Sequence, residues 1–140
     1  MIEMQLAQIT MEDLSTAQTI LLKEKDGDRG FSILIGIFEA IAIKRIVEKE
    51  PFGRPLTHDL LSDVINAMGG KLTRIAVTAL RKNTYHASLY IEQDGREVEV
   101  DARPSDAIAL AMKAEAPIFV SEQVFEELSR DGHQGLEPES

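Results

Sequence analysis

The chain has 140 residues, 44% hydrophobic and 28% charged, enough apolar material for one core and one domain. It contains no cysteine, which excludes disulfides, zinc–thiolate centres and thiol nucleophiles. The net charge is −9, with six acids against one arginine in the last twenty residues, so the sequence shows no broad basic footprint for nucleic acid.

From the N-terminus, residues 1–10 alternate Ile2, Met4 and Leu6 with polar neighbours and read as a strand. Residues 11–15 read as a short connection, and residues 16–25 as a second strand. Asp26-Gly27-Asp28 is a turn signal, and 31–37 is a third, buried strand ending near Gly36. A helix over 39–48 starts with an all-apolar run, carries Lys44, Arg45, Glu48 and Lys49 on its wet side, and stops at Pro51 and Gly53. Thr57 is placed to cap a second helix. Its Leu60, Leu61, Val64, Ile65 and Met68 form one apolar face opposite Asp59, Asp63 and Asn66, and Gly69-Gly70 ends it.

Residues 72–80, 85–92 and 97–101 read as three strands of a meander, with turns at Lys82-Asn83 and Asp94-Gly95. Ser105 is placed to cap a third helix that runs to Lys113. Residues 117–120 read as a short edge strand because of Pro117. Ser121 is placed to cap a last short helix with Val124, Phe125 and Leu128 inward, and 136–140 reads as frayed. The order βββαα-βββα-βα predicts an α+β fold with helices packed on a mostly antiparallel sheet. Residues 1–128 form the expected domain and 129–140 an acidic, flexible tail. The N-terminus lacks the basic start and apolar run of a signal peptide. No apolar run approaches the ~20 residues that span a membrane, so a cytoplasmic protein is expected.

The chain also reads as two loosely similar halves. Glu39-Ala40-Ile41-Ala42-Ile43 is echoed by Asp106-Ala107-Ile108-Ala109-Leu110, and Arg54-Pro55-Leu56-Thr57 by Arg103-Pro104-Ser105. No phosphate-binding loop, dinucleotide fingerprint, HExxH or GxSxG is present. What remains for chemistry is acids, arginines and one well-placed histidine. His58, in a helix first turn, suits a general base or acid, with Asp59 orienting it. Asp101, Asp106 and Glu39 suit a hard cation such as Mg²⁺ or Mn²⁺, and Arg54 or Arg103 suits a phosphate. The rival reading makes Glu39, Asp59 and Asp106 ordinary first-turn acids, tied to Arg54 and Arg103 in structural pairs. Glu39, Asp59, Asp101 and Asp106 outnumber the two arginines by the two charges one divalent ion neutralises.

The strings IGIFEAIAI, RPLTHDLL and EVDARPSDAIALA followed by APIFV resemble the bifunctional nuclease domain family across residues 1–128. The resemblance implies a compact α+β domain, homo-oligomers, and activity on DNA and RNA. The motif positions present are Glu39, Arg54, Thr57, His58, Asp59, Asp101, Arg103, Ser105 and Asp106. Two functions are therefore expected as alternatives. One is metal-assisted phosphodiester hydrolysis of DNA or RNA. The other is a non-catalytic binding or regulatory module whose motif residues are structural Arg–acid ties.

Overall fold

A computed structural model describes residues 1–12, 17–50, 53–130 and 136–137, and its strands follow the two-residue alternation of the sequence. Strands β1 (Ile2–Thr10), β2 (Ala17–Glu24) and β3 (Gly30–Gly36) form one antiparallel meander. Helices α1 (Ile37–Val47) and α2 (Thr57–Ala67) follow it. Strands β4 (Lys71–Arg81), β5 (Thr84–Gln93) and β6 (Arg96–Ala102) form a second meander, followed by α3 (Pro104–Ala114), β7 (Ile118–Val120), α4 (Glu122–Arg130) and β8 (Leu136–Glu137). The class is the predicted α+β. Each meander ends in a helix, and α1 packs on α3, so the internal echo is a structural one.

The strand order is β6-β5-β4-β7-β1-β2-β3-β8. Strand β7 joins the two meanders, parallel to β4 and antiparallel to β1. It is thus an interior strand, not the edge strand that Pro117 suggests. Pro117 stands just before the ladder, where its missing N–H is not needed, and its carbonyl accepts the Ile75 N–H at 3.1 Å. Leu136–Glu137, expected to be frayed, pair with Ser32 and Ile33 and give the outer edge of β3 backbone partners. Residues 13–15 of the expected connection at 11–15, the stop at Pro51, and tail residues 131–135 and 138–140 lie outside the described residues.

The sheet is strongly curled. Phe31 of β3 and Tyr85 of β5 stack with ring centroids 5.5 Å apart, and Phe125 of α4 meets Phe31 edge-on at 5.6 Å. Five strand spacings separate β3 from β5, which would be about 24 Å in a flat sheet. Register shifts at Leu6/Gln8 in β1 and at Leu72/Arg74 and Val77/Ala79 in β4 add local twist. Both rings are fully buried, together with Ile20, Leu22, Ile33, Ile75, Ile108 and Leu110. Strand β6 is the other edge. It is exposed along most of its length and carries Glu97, Glu99 and Asp101, charges that disfavour pairing with a further strand.

Three helix starts differ from expectation by one or two residues. Gly36, Leu56 and Arg103 hold the N-cap positions of α1, α2 and α3. Thr57 is therefore the first helical residue of α2, and Pro104 occupies the first position of α3, where its fixed φ suits a helix start. Ser105 lies in the first turn with its Oγ buried and without a hydrogen-bond partner among the described residues. Ser121 Oγ donates to the Thr78 carbonyl at 2.8 Å and ties α4 to β4 rather than capping it.

The largest departure is α2. Leu60, Leu61, Val64 and Met68, read from the sequence as one apolar face, are exposed, and Asp59 from the opposite face is the helix's one buried residue. The core itself is well filled elsewhere. Phe31→Ala removes the ring that links both meanders to α4 and should cost about 3–5 kcal/mol, read as a lower urea midpoint.

Candidate functional site

Three acids occupy the same position in three helices. Glu39, Asp59 and Asp106 each stand three residues after the N-cap of α1, α2 and α3, where a carboxylate complements the unpaired N–H groups and the helix dipole. Their surroundings separate their roles.

Asp59 is buried and structural. Its Oδ2 accepts the Leu56 N–H at 3.0 Å and Arg45 Nη2 at 3.0 Å, and its Oδ1 lies 3.2 Å from Lys113 Nζ. Burial works to raise its carboxyl, but the Leu56 N–H, Lys113 and Arg45 together hold it below the usual aspartate range. Asp59 does not orient His58, contrary to the sequence reading. Arg45, read as a wet-side residue of α1, is 8% exposed and is the main partner. Periodicity could not find this pair, because the counter-charge for a buried arginine comes from another helix.

His58, in the first turn of α2, reaches Asp106 at the start of α3, with Nε2 and Oδ1 2.9 Å apart. Arg103 donates to the same carboxylate through Nε (3.0 Å) and Nη2 (3.3 Å), and its Nη1 reaches Glu39 Oε2 at 3.4 Å. Burial works to raise the Asp106 carboxyl, and Arg103 and His58 outweigh it and lower it. An ionised Asp106 only accepts, so the His58 Nε2 carries the proton of this contact, and whenever the imidazole is neutral the lone pair lies on Nδ1. A Cβ on Gly36 would collide with the Glu39 carboxylate, so glycine there makes room for it.

These four side chains line an open groove of about 780 Å³ whose walls include Phe38, Ile41, Leu56 and Leu60. Arg54 is exposed and lines a separate, more polar cavity of about 580 Å³ with Arg45, Asp59 and Lys113. Asp101 is exposed near the end of β6 and, among the described residues, makes no bond to Glu39, His58 or Asp106. Of the seven residues that the sequence suggests, the structure brings Glu39, His58, Arg103 and Asp106 together and leaves Arg54, Asp59 and Asp101 out.

Glu39, Asp101 and Asp106 do not fit a resident Mg²⁺ or Mn²⁺ in this arrangement. Both Asp106 oxygens accept from Arg103, Glu39 faces the same guanidinium, and Asp101 stands apart. Among the described residues no group of three or more His, Asp or Glu side chains is placed to hold a metal ion. The surplus of two negative charges also disappears once Arg45 and Lys113 are counted.

Asp59→Asn should destabilise the fold by about 3–5 kcal/mol in urea unfolding, because the buried Arg45 would lose the Asp59 charge beside it. The Asp59 and Asp106 carboxyls are both lowered from 3.8, so the unfolded chain binds more protons as pH falls. Their contribution is complete above the ordinary aspartate range and is lost as pH drops through the lowered values. Urea midpoints should hold steady down to about pH 5 and then fall toward pH 3.

Residues 20–132 match the model of the bifunctional nuclease domain. An uncharacterised protein of Mycobacterium tuberculosis is 38% identical over 122 residues, covering 87% of this chain and 73% of that protein. Bifunctional nuclease 2 of Arabidopsis thaliana is 30% identical over 107 residues, and bifunctional nuclease 1 of Oryza sativa subsp. indica 25% over 120. The matches cover 73% and 83% of this chain but 32% and 36% of those plant proteins, so the chain spans about a third of their length. Among the described residues no helix is long and apolar enough to cross a membrane. The chain belongs to the bifunctional nuclease domain family.

Proposed function

We propose that this domain hydrolyses phosphodiester bonds of DNA or RNA, with His58 as general base and Asp106 as the group that positions it. The observation that carries the reading is the 2.9 Å contact between His58 Nε2 and Asp106 in an open groove. Asp106 holds the tautomer in which Nδ1 can accept a proton. In the proposed step, His58 takes a proton from water and the water oxygen bonds to phosphorus. The bond to the leaving sugar oxygen breaks, and that oxygen takes a proton from solvent. Arg103, half exposed beside the pair, faces a non-bridging phosphate oxygen and offsets the charge that develops there. The similarity to plant proteins named bifunctional nucleases supports the substrate class.

The test is cleavage of single- and double-stranded DNA and RNA in EDTA and with added Mg²⁺ or Mn²⁺. His58→Ala should lower the rate by about 10²–10⁴-fold, the usual scale for general acid–base catalysis. Asp106→Asn should also lower kcat while leaving KM nearly unchanged. Cleavage that ignores both variants overturns the reading. Cleavage that needs a metal and is lost in Asp101→Asn moves the chemistry to a metal centre that the present arrangement does not assemble.

One observation favours the non-catalytic alternative. Arg103 is tied to both Asp106 and Glu39, as a structural clasp would be. Under that reading no substrate is cleaved, and Arg103→Ala lowers stability alone.

A further inference from the structure

Among the described residues Phe38 carries the one exposed aromatic ring. Phe31, Tyr85 and Tyr90 are buried, and Phe119 and Phe125 are half-buried. Phe38 is 81% exposed, in the first turn of α1, one residue before Glu39. A ring of that size in water is unfavourable, and the core gains nothing from it. Phe38, Ile41 and Arg45 stand three and four residues apart, so they share the side of α1 that lines the groove beside His58 and Asp106. Leu56 and Leu60 of α2 also line it. The groove volume of about 780 Å³ falls within the about 300–1,000 Å³ of sites for small molecules, the scale of a nucleotide rather than of a duplex.

We infer that Phe38 stacks on a base of single-stranded nucleic acid whose phosphate meets Arg103, and that this stack makes the groove select unpaired strands. The inference deepens the hydrolytic reading and rests on it for the identity of the substrate. Charge balance decides where the affinity comes from. Arg45 and Arg103 in the groove lining are matched by Glu39 and Asp106, and the whole chain carries −9. A polyanion therefore gains little from charge here, and binding has to come from contact with a base. A base in a single strand offers its face to a ring, whereas in a duplex that face is stacked on its neighbours and closed to Phe38. Apolar walls for the base and a guanidinium beside an imidazole for the phosphate match the two parts of a nucleotide.

The test is binding of oligothymidylate, single-stranded or annealed to oligoadenylate, to the full chain carrying His58→Ala, which on the hydrolytic reading leaves the strand uncut. Adding Phe38→Ala or Phe38→Leu should each weaken single-strand binding by roughly 5–150-fold, the usual worth of one base–aromatic stack, and leave duplex binding unchanged. The ring stands in solvent, so urea midpoints should not move. With one cation at the phosphate, log K should fall with log salt at a slope of about −0.7, far shallower than for a basic nucleic-acid surface. The chain has no tryptophan, so Phe38→Trp places a single indole at the groove. That variant should keep single-strand affinity, and its fluorescence should be quenched by the single strand and not by the duplex.

Single-strand binding that Phe38→Ala leaves unchanged overturns the inference. So does a Phe38→Trp indole that the single strand fails to quench, equal affinity for both strand forms, or a chain that binds neither. Cleavage by the unmodified chain with a KM that Phe38→Ala does not raise removes stacking and leaves hydrolysis standing. Quenching without cleavage does the reverse.

Discussion

The carboxylate of Asp59 is the constraint on which the functional half of this molecule turns. It draws together the start of its own helix, Arg45 from α1 and Lys113 from α3. Removing a carboxylate and a guanidinium from water is costly, and the cost is offset only because each oxygen has a charged partner and one also has a backbone N–H. The price of that arrangement is orientation. Once Asp59 points inward, the helix can rotate no further, and its apolar stripe must point outward. The same rotation sets His58, one residue earlier, within reach of Asp106. The groove and the exposed face are two results of one buried ion pair.

The three first-turn acids show how environment divides a common local role. Each answers the same need at a helix N-terminus, where unpaired N–H groups favour negative charge. Asp59 is sealed beneath two cations and acts as an anchor. Asp106 is half open and divides its oxygens between a guanidinium and an imidazole. Glu39 folds back over Gly36 and meets Arg103 from the far side. Glu39 and Asp106 follow equivalent strands of the two meanders. Arg103 therefore bridges the matching helix starts of the two halves, and this bridge is the physical content of the echo between their sequences.

The sheet supplies the rigid backing for these contacts. Its curl brings β3 within stacking distance of β5, so Phe31, Tyr85 and Phe125 lock both meanders and α4 into one core. With the meanders held by β7 in the middle, α1 and α3 can lean on each other over the sheet. Positions at their N-termini are then set by packed elements rather than by loops, which suits a site whose contacts must hold to a few tenths of an ångström.

Much of this was legible in the chain itself. Period-two alternation and the Asp94-Gly95 turn located the strands, because alternation reports directly which face of a strand is buried. The matched positions of Glu39 and Asp106, and the echo of Arg54-Pro55 in Arg103-Pro104, marked the helix starts that meet at the groove. Sequence also determined that any chemistry here rests on carboxylates, arginines and His58, since no thiol is available. Only the tertiary structure decided that Asp59 serves Arg45 instead of His58, that Asp101 stands apart, that β7 is interior, and that α2 shows its apolar face to solvent. The physical reason is the same in each case. Local pattern states what a residue can bond to or bury, whereas the partner it takes comes from a segment distant along the chain and is selected by which desolvated charges can be neutralised together.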